Sequence, residues 1–277
     1  MKTRAKSALI MAPLLIIVFL GGYFLIAGTI VLSIFAIREF CNAFGEKRPA
    51  AWVLWASLAI LYAGYMIPQL HSYILLPCWM FVSLLLCFLS MFAMEKRDLF
   101  QGMATITGIF YINFLAFHLV LVDEAFTAGT KISDWFQISG LHSYVWIVIL
   151  AAFGTDIFAY FTGNLMGSHK LCPTVSPKKT VEGAVGGVLG SVVLCGLFGY
   201  FFLPAGFANC IVIGVVGSVF AQLGDLSASV MKRKIGIKDW GAAIPGHGGV
   251  LDRIDSILFT APLVFYILML KATFFVV

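Results

Sequence analysis

The sequence predicts an all-α, polytopic integral membrane protein with about nine transmembrane helices. Hydrophobic residues make up 61% of the chain and charged residues only 11%, and the mean hydropathy is +1.00. Soluble domains do not have this composition, so the bilayer is the expected solvent. Apolar stretches of about 20 residues recur along the chain, and a helix of that length crosses the hydrocarbon core.

The predicted spans follow one another along the chain, and no polar break divides the first two. They are roughly 8–21, 22–40, 50–67, 73–93, 99–122, 142–163, 182–203, 207–229 and 253–275. The first run resembles a signal peptide because Lys2, Arg4 and Lys6 precede it. No small-x-small cleavage site closes it, so we expect it to stay in the chain.

The basic residues predict the orientation. If the N-terminus is cytoplasmic, every Lys and Arg except Lys131 and Lys271 falls on the cytoplasmic side, as the positive-inside rule requires. The C-terminus then lies outside, and the net charge of +5 needs no nucleic-acid partner. The six cysteines show no CxxC pattern, so they are expected to pack as small apolar side chains.

The chain divides by character into residues 1–140 and 141–277. The first part is rich in bulky apolar residues, and we expect it to face lipid or to form a partner surface, with a homodimer as one option. Arg38 and Glu39 end its second span beside a basic loop and are expected to be interfacial anchors. The alternative is that the basic loop attracts anionic lipid headgroups. The second part is expected to carry the chemistry.

Span six places Asp156 inside an apolar run. A carboxylate there costs about 2.5–3.5 kcal/mol on insertion scales, so it should face a partner or a water-filled cavity. Asp156, Tyr160, Gly163 and Gly167 follow at steps of four, three and four, which places them on one helix face. An interhelical polar contact is the alternative interpretation of Asp156.

The loop after span six contains Ser176-Pro177-Lys178-Lys179-Thr180. Ser before Pro predicts a helix start, with Ser176 as N-cap and Pro177 at the first helical position. Two lysines beside a helix N-terminus would favour an anion. A basic flank that snorkels to the interface is the alternative.

Spans seven and eight carry small residues at helical spacing, which predicts close packing of helices in a bilayer. On span eight, Asp225 shares a face with Gly217 and Ala221, and Ser229 lies one turn further. Asp252 and Asp255 begin span nine from the same side of the membrane. We therefore expect Asp225 and Asp252 to meet near the cytoplasmic interface and to hold Mg²⁺, which commonly takes one or two carboxylates plus substrate phosphates.

Charge is concentrated between spans eight and nine. The stretch 229–255 reads SVMKRKIGIKDWGAAIPGHGGVLDRID and combines cations, carboxylates and glycines. Carboxylates hold Mg²⁺, cations bind phosphate oxygens, and glycines allow the backbone amides to approach closely. This combination is typical of a site for a metal-bound polyphosphate.

The same stretch is similar to a signature of phosphatidate cytidylyltransferases, also called CDP-diacylglycerol synthases: S-x-[apolar]-K-R-x4-K-D, followed by H-G-G-[apolar]-x-D-R-[apolar]-D. Asp156-x-x-Ala159-Tyr160-x-x-Gly163 and the run SPKKTVEG at 176–183 also resemble that family. Asn164 and Ser168 depart from it, since basic residues are expected near them.

The resemblance implies Mg²⁺-dependent transfer of CMP from CTP to phosphatidate, giving CDP-diacylglycerol and pyrophosphate in phospholipid biosynthesis. It also implies an enzyme of the bacterial cytoplasmic membrane, surrounded by membrane lipids, with its active site facing the cytoplasm. Asp225 and Asp252 would hold the metal, and Ser229 could contribute an oxygen to a second cation. The predicted catalytic residues are Asp225, Asp252, Lys178, Lys179 and Asp156, and the predicted substrate-binding residues are Ser176, Ser229, Lys232, Arg233, Lys238, His247, Gly248, Gly249 and Arg253.

Two other functions stay open at this point. A CTP-dependent lipid kinase resembling dolichol kinase would use similar groups but transfer the γ-phosphate, so it would release CDP instead of pyrophosphate. An ion-coupled transporter could use Asp156 and Asp225 on an ion path. The sequence counts against a transporter, because no charged residue continues such a path to the outer face.

Overall fold

Helices make up most of the computed structural model, which describes residues 15–70, 74–92, 98–127, 143–243 and 248–274. The elements are α1 (Gly22–Ala43), α2 (Ala51–Tyr65), α3 (Leu75–Met91), α4 (Leu99–Gly108), α5 (Leu115–Thr127), α6 (Ser143–Met166), β1 (Lys170–Cys172), β2 (Ser176–Thr180), α7 (Val181–Phe202), α8 (Phe207–Lys234) and α9 (Leu251–Phe274). A π-helical turn, Ile109–Phe114, joins α4 to α5, and residues 15–20 form a helical segment before α1. The short antiparallel hairpin of β1 and β2 separates α6 from α7.

Six helical stretches within the described residues are long and apolar enough to cross a membrane, which makes the chain an integral membrane protein. They are Gly22–Ala43, Leu99–Glu124, Tyr144–Met166, Val181–Phe202, Phe207–Lys234 and Leu251–Leu270. The predicted spans 50–67 and 73–93 correspond to the shorter helices α2 and α3. Most of the predicted span 8–21 lies outside the described residues.

The first half is packed by large side chains. Phe117 of α5 makes edge-to-face contacts with Tyr62 and Tyr65 of α2, at centroid distances of 5.3 and 5.4 Å. Two side chains show how polar donors inside this half are paired, as a bilayer favours. Trp79 donates from Nε1 to the carbonyl of Ser57 at 2.8 Å, and Asn113 donates from Nδ2 to the carbonyl of Leu54 at 3.1 Å.

The second half is packed by glycines. A Cβ atom at Gly183 of α7 would lie 2.8 Å from the carbonyl oxygen of Ala159, and one at Gly187 would lie 2.9 Å from that of Thr155. Helices α6 and α7 therefore touch through their backbones. At Gly214 of α8, a Cβ would lie 2.8 Å from the Cα of Val192. The predicted role of small residues in close helix packing is confirmed.

The predicted helix start at Ser176 and Pro177 is wrong. Residues Ser176–Thr180 form β2, which pairs with β1 so that Lys170 is opposite Thr180 and Cys172 is opposite Ser176. The N-cap of α7 is Thr180, whose Oγ1 accepts a hydrogen bond of 3.1 Å from the backbone N–H of Gly183. Lys178 and Lys179 therefore project from a strand.

Candidate active site

A polar cavity of about 420 Å³ opens where α6, α7, α8 and α9 meet the hairpin. Charged side chains that are far apart in sequence line it together. They are Asp156 on α6, Lys178 and Lys179 on β2, Asp225 and Lys232 on α8, Asp239 in the next loop, and Asp252, Arg253 and Asp255 on α9. The predicted catalytic residues thus share one cavity.

Asp156 faces the cavity together with Tyr160 and Gly163, so the predicted common face of α6 is confirmed for these three residues. Ser256 of α9 donates its hydroxyl to Oδ2 of Asp156 at 3.0 Å. The backbone N–H of Ser256 donates to Oδ1 of Asp255 at 2.8 Å. Ser256 therefore holds the two carboxylates side by side.

Asp225 lies at the centre of the negative charge. Its carboxylate pairs with the ammonium of Lys179, which reaches it from β2. Asp225 is also an electrostatic neighbour of both Asp156 and Asp255. Carboxylates from three helices thus lie close enough to interact electrostatically, and this arrangement favours a bound cation.

Asp252 is tied to the loop that precedes α9. Its Oδ1 accepts a 2.6 Å hydrogen bond from Nζ of Lys232, and its Oδ2 accepts bonds of 2.8 and 3.0 Å from the N–H groups of Trp240 and Gly249. The side chains of Lys232 and Asp252 are only 9% and 4% exposed. Gly248 has φ +80°, and a Cβ there would lie 3.1 Å from Oδ2 of Asp252, so this turn requires glycine.

Other predicted substrate-binding residues lie outside the lining of the cavity. Ser176 is half-buried on β2, Ser229 is buried on α8, and Lys238 is exposed. Arg233 is exposed and donates from Nη1 to the carbonyl of Ile237 at 2.9 Å. His247 lies outside the described residues.

The carboxylates of the cavity fit Mg²⁺ bound together with a substrate. Within the described part of the chain, no group of three or more His, Cys, Asp or Glu side chains is placed to hold a metal ion. Mg²⁺ usually keeps several waters and binds one or two carboxylates plus phosphate oxygens. Asp225, half-buried and facing two further carboxylates, matches that mode of binding.

Comparison with known proteins decides the family. The model of the cytidylyltransferase family matches residues 2–271. The phosphatidate cytidylyltransferase of Staphylococcus haemolyticus is 31% identical over 271 residues, covering 95% of this chain and 97% of the relative. That of Synechocystis is 32% identical over 270 residues, covering 91% of this chain and 90% of the relative. The chain belongs to the phosphatidate cytidylyltransferase family.

Further similarity comes from the phosphatidate cytidylyltransferase of Bacillus subtilis, which is 43% identical over 129 residues, 46% of this chain and 48% of the relative. The resemblance found in the stretch 229–255 is therefore confirmed by matches that extend over nearly the whole chain.

In this cytidylyltransferase, Glu39 is not the interfacial anchor that the sequence predicted. It is buried at the end of α1, and its oxygens accept hydrogen bonds of 2.9 Å each from the N–H groups of Val250 and Leu251. The carboxylate therefore caps the N-terminus of α9 directly before Asp252. A carboxylate within an apolar run is the signal that identified Asp156, and it applied equally to Glu39.

Sequence reasoning also missed uncharged members of the site. Gln222 lines the cavity and donates from Nε2 to the carbonyl of Ala184 at 3.2 Å. Asn164 lines the cavity as well, so the departure from the family pattern affects its wall directly. Ser168 instead donates its N–H to Glu182 at 3.1 Å. The cations that line the cavity therefore come from β2, α8 and α9.

Proposed function

We propose that this cytidylyltransferase transfers CMP from CTP to phosphatidate in the polar cavity, with Mg²⁺ held by substrate phosphates together with Asp225 and Asp252. The observation that carries the proposal is the convergence of carboxylates and cations from α6, β2, α8 and α9 around one cavity in an otherwise apolar bundle. A water-soluble polyanion and a lipid phosphate both require such a site at the edge of the bilayer.

The cations of the cavity bind the phosphates. Lys178 and Lys179 reach in from the hairpin, and Lys232 and Arg253 from the helices. They position the triphosphate and the lipid phosphate and stabilise the departing pyrophosphate. When bound, Mg²⁺ supplies further neutralisation of the triphosphate charge. A second cation beside Ser229 stays a prediction.

The transfer needs no strong general base. An oxygen of the phosphatidate phosphate is already anionic at neutral pH and attacks the α-phosphorus of CTP. A new P–O bond forms there while the bond to the bridging oxygen breaks, and pyrophosphate leaves with the electron pair. The cavity residues lower the barrier by orienting the two phosphates and by stabilising the charge that develops on the leaving group.

The proposal includes the predicted arrangement in the membrane. Helices α6 and α8 end, and α7 and α9 begin, at the end of the bundle that holds the cavity. Lys232, Arg233 and Lys234 lie in the last turn of α8 at that same end. By the positive-inside rule, these cations support a cavity on the cytoplasmic side of the bacterial inner membrane. The proposed topology has about nine spans, with the N-terminus inside and the C-terminus outside. Residues 141–277 form the catalytic part, and residues 1–140 supply the lipid-facing or homodimer surface.

Labelled CTP tests the reaction. The purified protein in detergent is given phosphatidate, Mg²⁺ and CTP labelled at the α- or the γ-phosphate. The proposal predicts that α-label enters the lipid and γ-label leaves as pyrophosphate. γ-Label in the lipid would instead show a kinase and would overturn the proposal.

The variant Asp225→Asn tests the site. We expect turnover to fall by about 10² to 10³, because the carboxylate that would hold Mg²⁺ beside the reacting phosphates is lost. Glu46→Gln is the matched control, since Glu46 is exposed in the turn Gly45–Lys47. Near-normal turnover in a folded Asp225→Asn protein would remove Asp225 from the metal site.

A further inference from the structure

A second, apolar cavity of about 370 Å³ lies beside the polar one. The helical segment 15–20 and helices α1, α5, α6 and α9 form its walls. Its lining is apolar except for Gly28, Thr29 and Arg253. The hydroxyl of Thr29 is already used, because it donates to the carbonyl of Ile26 at 2.9 Å and accepts from Tyr62 at 3.0 Å.

Arg253 connects the two cavities, because it lines both of them. Asp156 is an electrostatic neighbour of its guanidinium. The Nε atom of Arg253 is nevertheless buried, and no described residue accepts a hydrogen bond from it. A buried donor without a partner is costly, and a charged one more so, which points to an anionic ligand at this junction.

The apolar cavity extends away from Arg253 along the helix axes. On α6 its lining residues are Phe153, Ile149 and Val145, at steps of four, which corresponds to a rise of about 12 Å. On α9, Ile257 follows Arg253 by one turn. A ligand with its anionic group on Arg253 would therefore have an apolar tail directed into the membrane.

The segment 15–20 forms one side wall of the apolar cavity and gives the cavity the shape of a groove. Gly21 and Gly22 have φ of +56° and +48°, values that glycine adopts readily, and they reverse the chain between this segment and α1. A Cβ at Gly28 would lie 2.6 Å from Cγ2 of Ile17, so only glycine lets the segment pack this closely. The groove is thus a defined feature of the fold with walls on several sides.

We propose that the apolar groove binds one acyl chain of the lipid substrate and that Arg253 binds the lipid phosphate where the groove meets the polar cavity. This inference rests on the proposed function. It assigns the lipid to the α9 side of the site and the nucleotide to the side of Lys178 and Lys179. The attacking oxygen would then approach the triphosphate from the groove.

A bulky residue introduced into the apolar groove tests whether the groove binds an acyl chain. The substrates are one phosphatidate with long chains and one with short chains. Leu119→Trp fills the groove, and Leu189→Trp makes the same change at a 63% exposed position of α7 outside it. With dioleoyl phosphatidate we expect kcat/KM of Leu119→Trp to fall about tenfold through misplacement of the phosphate. With dihexanoyl phosphatidate, whose chains are too short to fill the groove, it should match Leu189→Trp.

Equal losses on both lipids, or no loss on either, would overturn the acyl-groove proposal. The proposed function fails separately if the wild-type protein transfers CMP to neither lipid.

A second measurement uses the wild-type protein, in case Leu119→Trp does not fold. Phosphatidate with a photoreactive diazirine at the end of one acyl chain is cross-linked, and the labelled peptides are sequenced. Label on the segment 15–20, α5 or the groove face of α6 supports the proposal. Label confined to the exposed outer faces of α3 and α7 overturns it.

Discussion

The two halves of the bundle differ in what separates their helices. In the first half large rings lie between the helices, as where Trp79 stacks on Phe114 with centroids 6.2 Å apart. In the second half α6, α7 and α8 touch through glycines and backbone atoms. Backbone contact fixes the distance between helices, whereas long side chains can adjust by changing rotamers. The charged residues of the cavity lie where that distance is fixed.

Glu39 joins the two halves. It is the charged residue of α1 whose carboxylate reaches the start of α9, 211 residues away in the chain. The first half therefore contributes to the site by positioning the turn before Asp252. Because the two halves pack differently, we expect them to respond differently to substitution.

The largest effect on stability is expected for Lys232→Met. It removes one partner of the buried Lys232–Asp252 pair and leaves a carboxylate uncompensated, which costs about 3–5 kcal/mol. Thermal unfolding in detergent measures the loss. Lys234→Met is the matched control, since Lys234 is exposed on the same helix turn. Equal unfolding temperatures for the two variants would show that the pair does not hold the loop.

Substitution of a glycine by valine should lower the stability more in the second half than in the first. At Gly187 the new side chain meets the backbone of α6, and we expect a loss of about 2–3 kcal/mol, as for other overpacked sites. At Gly64 of α2 it meets Cδ1 of Leu75, the movable end of a side chain, so the loss should be smaller. Unfolding temperatures of both variants test this. A greater loss for Gly64→Val would contradict the packing comparison.

Glu39→Gln should have an intermediate effect. The amide keeps one acceptor oxygen but turns an N–H group toward a backbone donor of α9, which costs about 1–3 kcal/mol. Because Asp252 follows this cap directly, we expect kcat to fall about tenfold in protein that remains folded. Glu46→Gln serves again as the control. Unchanged kcat would limit Glu39 to a purely structural role.

The smallest effect is expected for His169→Ala. His169 pairs with Glu182 through Nδ1 at 2.6 Å, but its side chain is 82% exposed. Exposed ion pairs contribute little, and backbone N–H groups of Ser168 and His169 continue to hold Glu182. CMP transfer should change by less than about twofold. A larger change would mean that the hairpin depends on this pair.

The sequence was sufficient for features with a strong local signal. Helices α6 to α9 follow from long apolar runs, and the exposure of Asp156 to a cavity follows from the cost of a carboxylate in lipid. The close packing of α7 and α8 follows from the spacing of their small residues.

Other features depend on tertiary contacts that no local pattern reports. The run Ser176–Thr180 fits a helix start, and its pairing with Lys170–Cys172 makes it a strand. The capping of α9 by Glu39 joins positions at opposite ends of the chain. Asp252 was predicted as a metal ligand from its place at the start of span nine, whereas its contacts with Lys232 and Trp240 become visible only in the folded loop.

The proposed reaction depends on a divalent cation that Asp225 and Asp252 hold together with the nucleotide. Binding of labelled CTP to the detergent-purified protein is measured with and without Mn²⁺, which replaces Mg²⁺. We expect Mn²⁺ to strengthen CTP binding to the wild-type protein and to Glu46→Gln but not to Asp225→Asn. The same strengthening by Mn²⁺ in Asp225→Asn would show that Asp225 does not hold the cation.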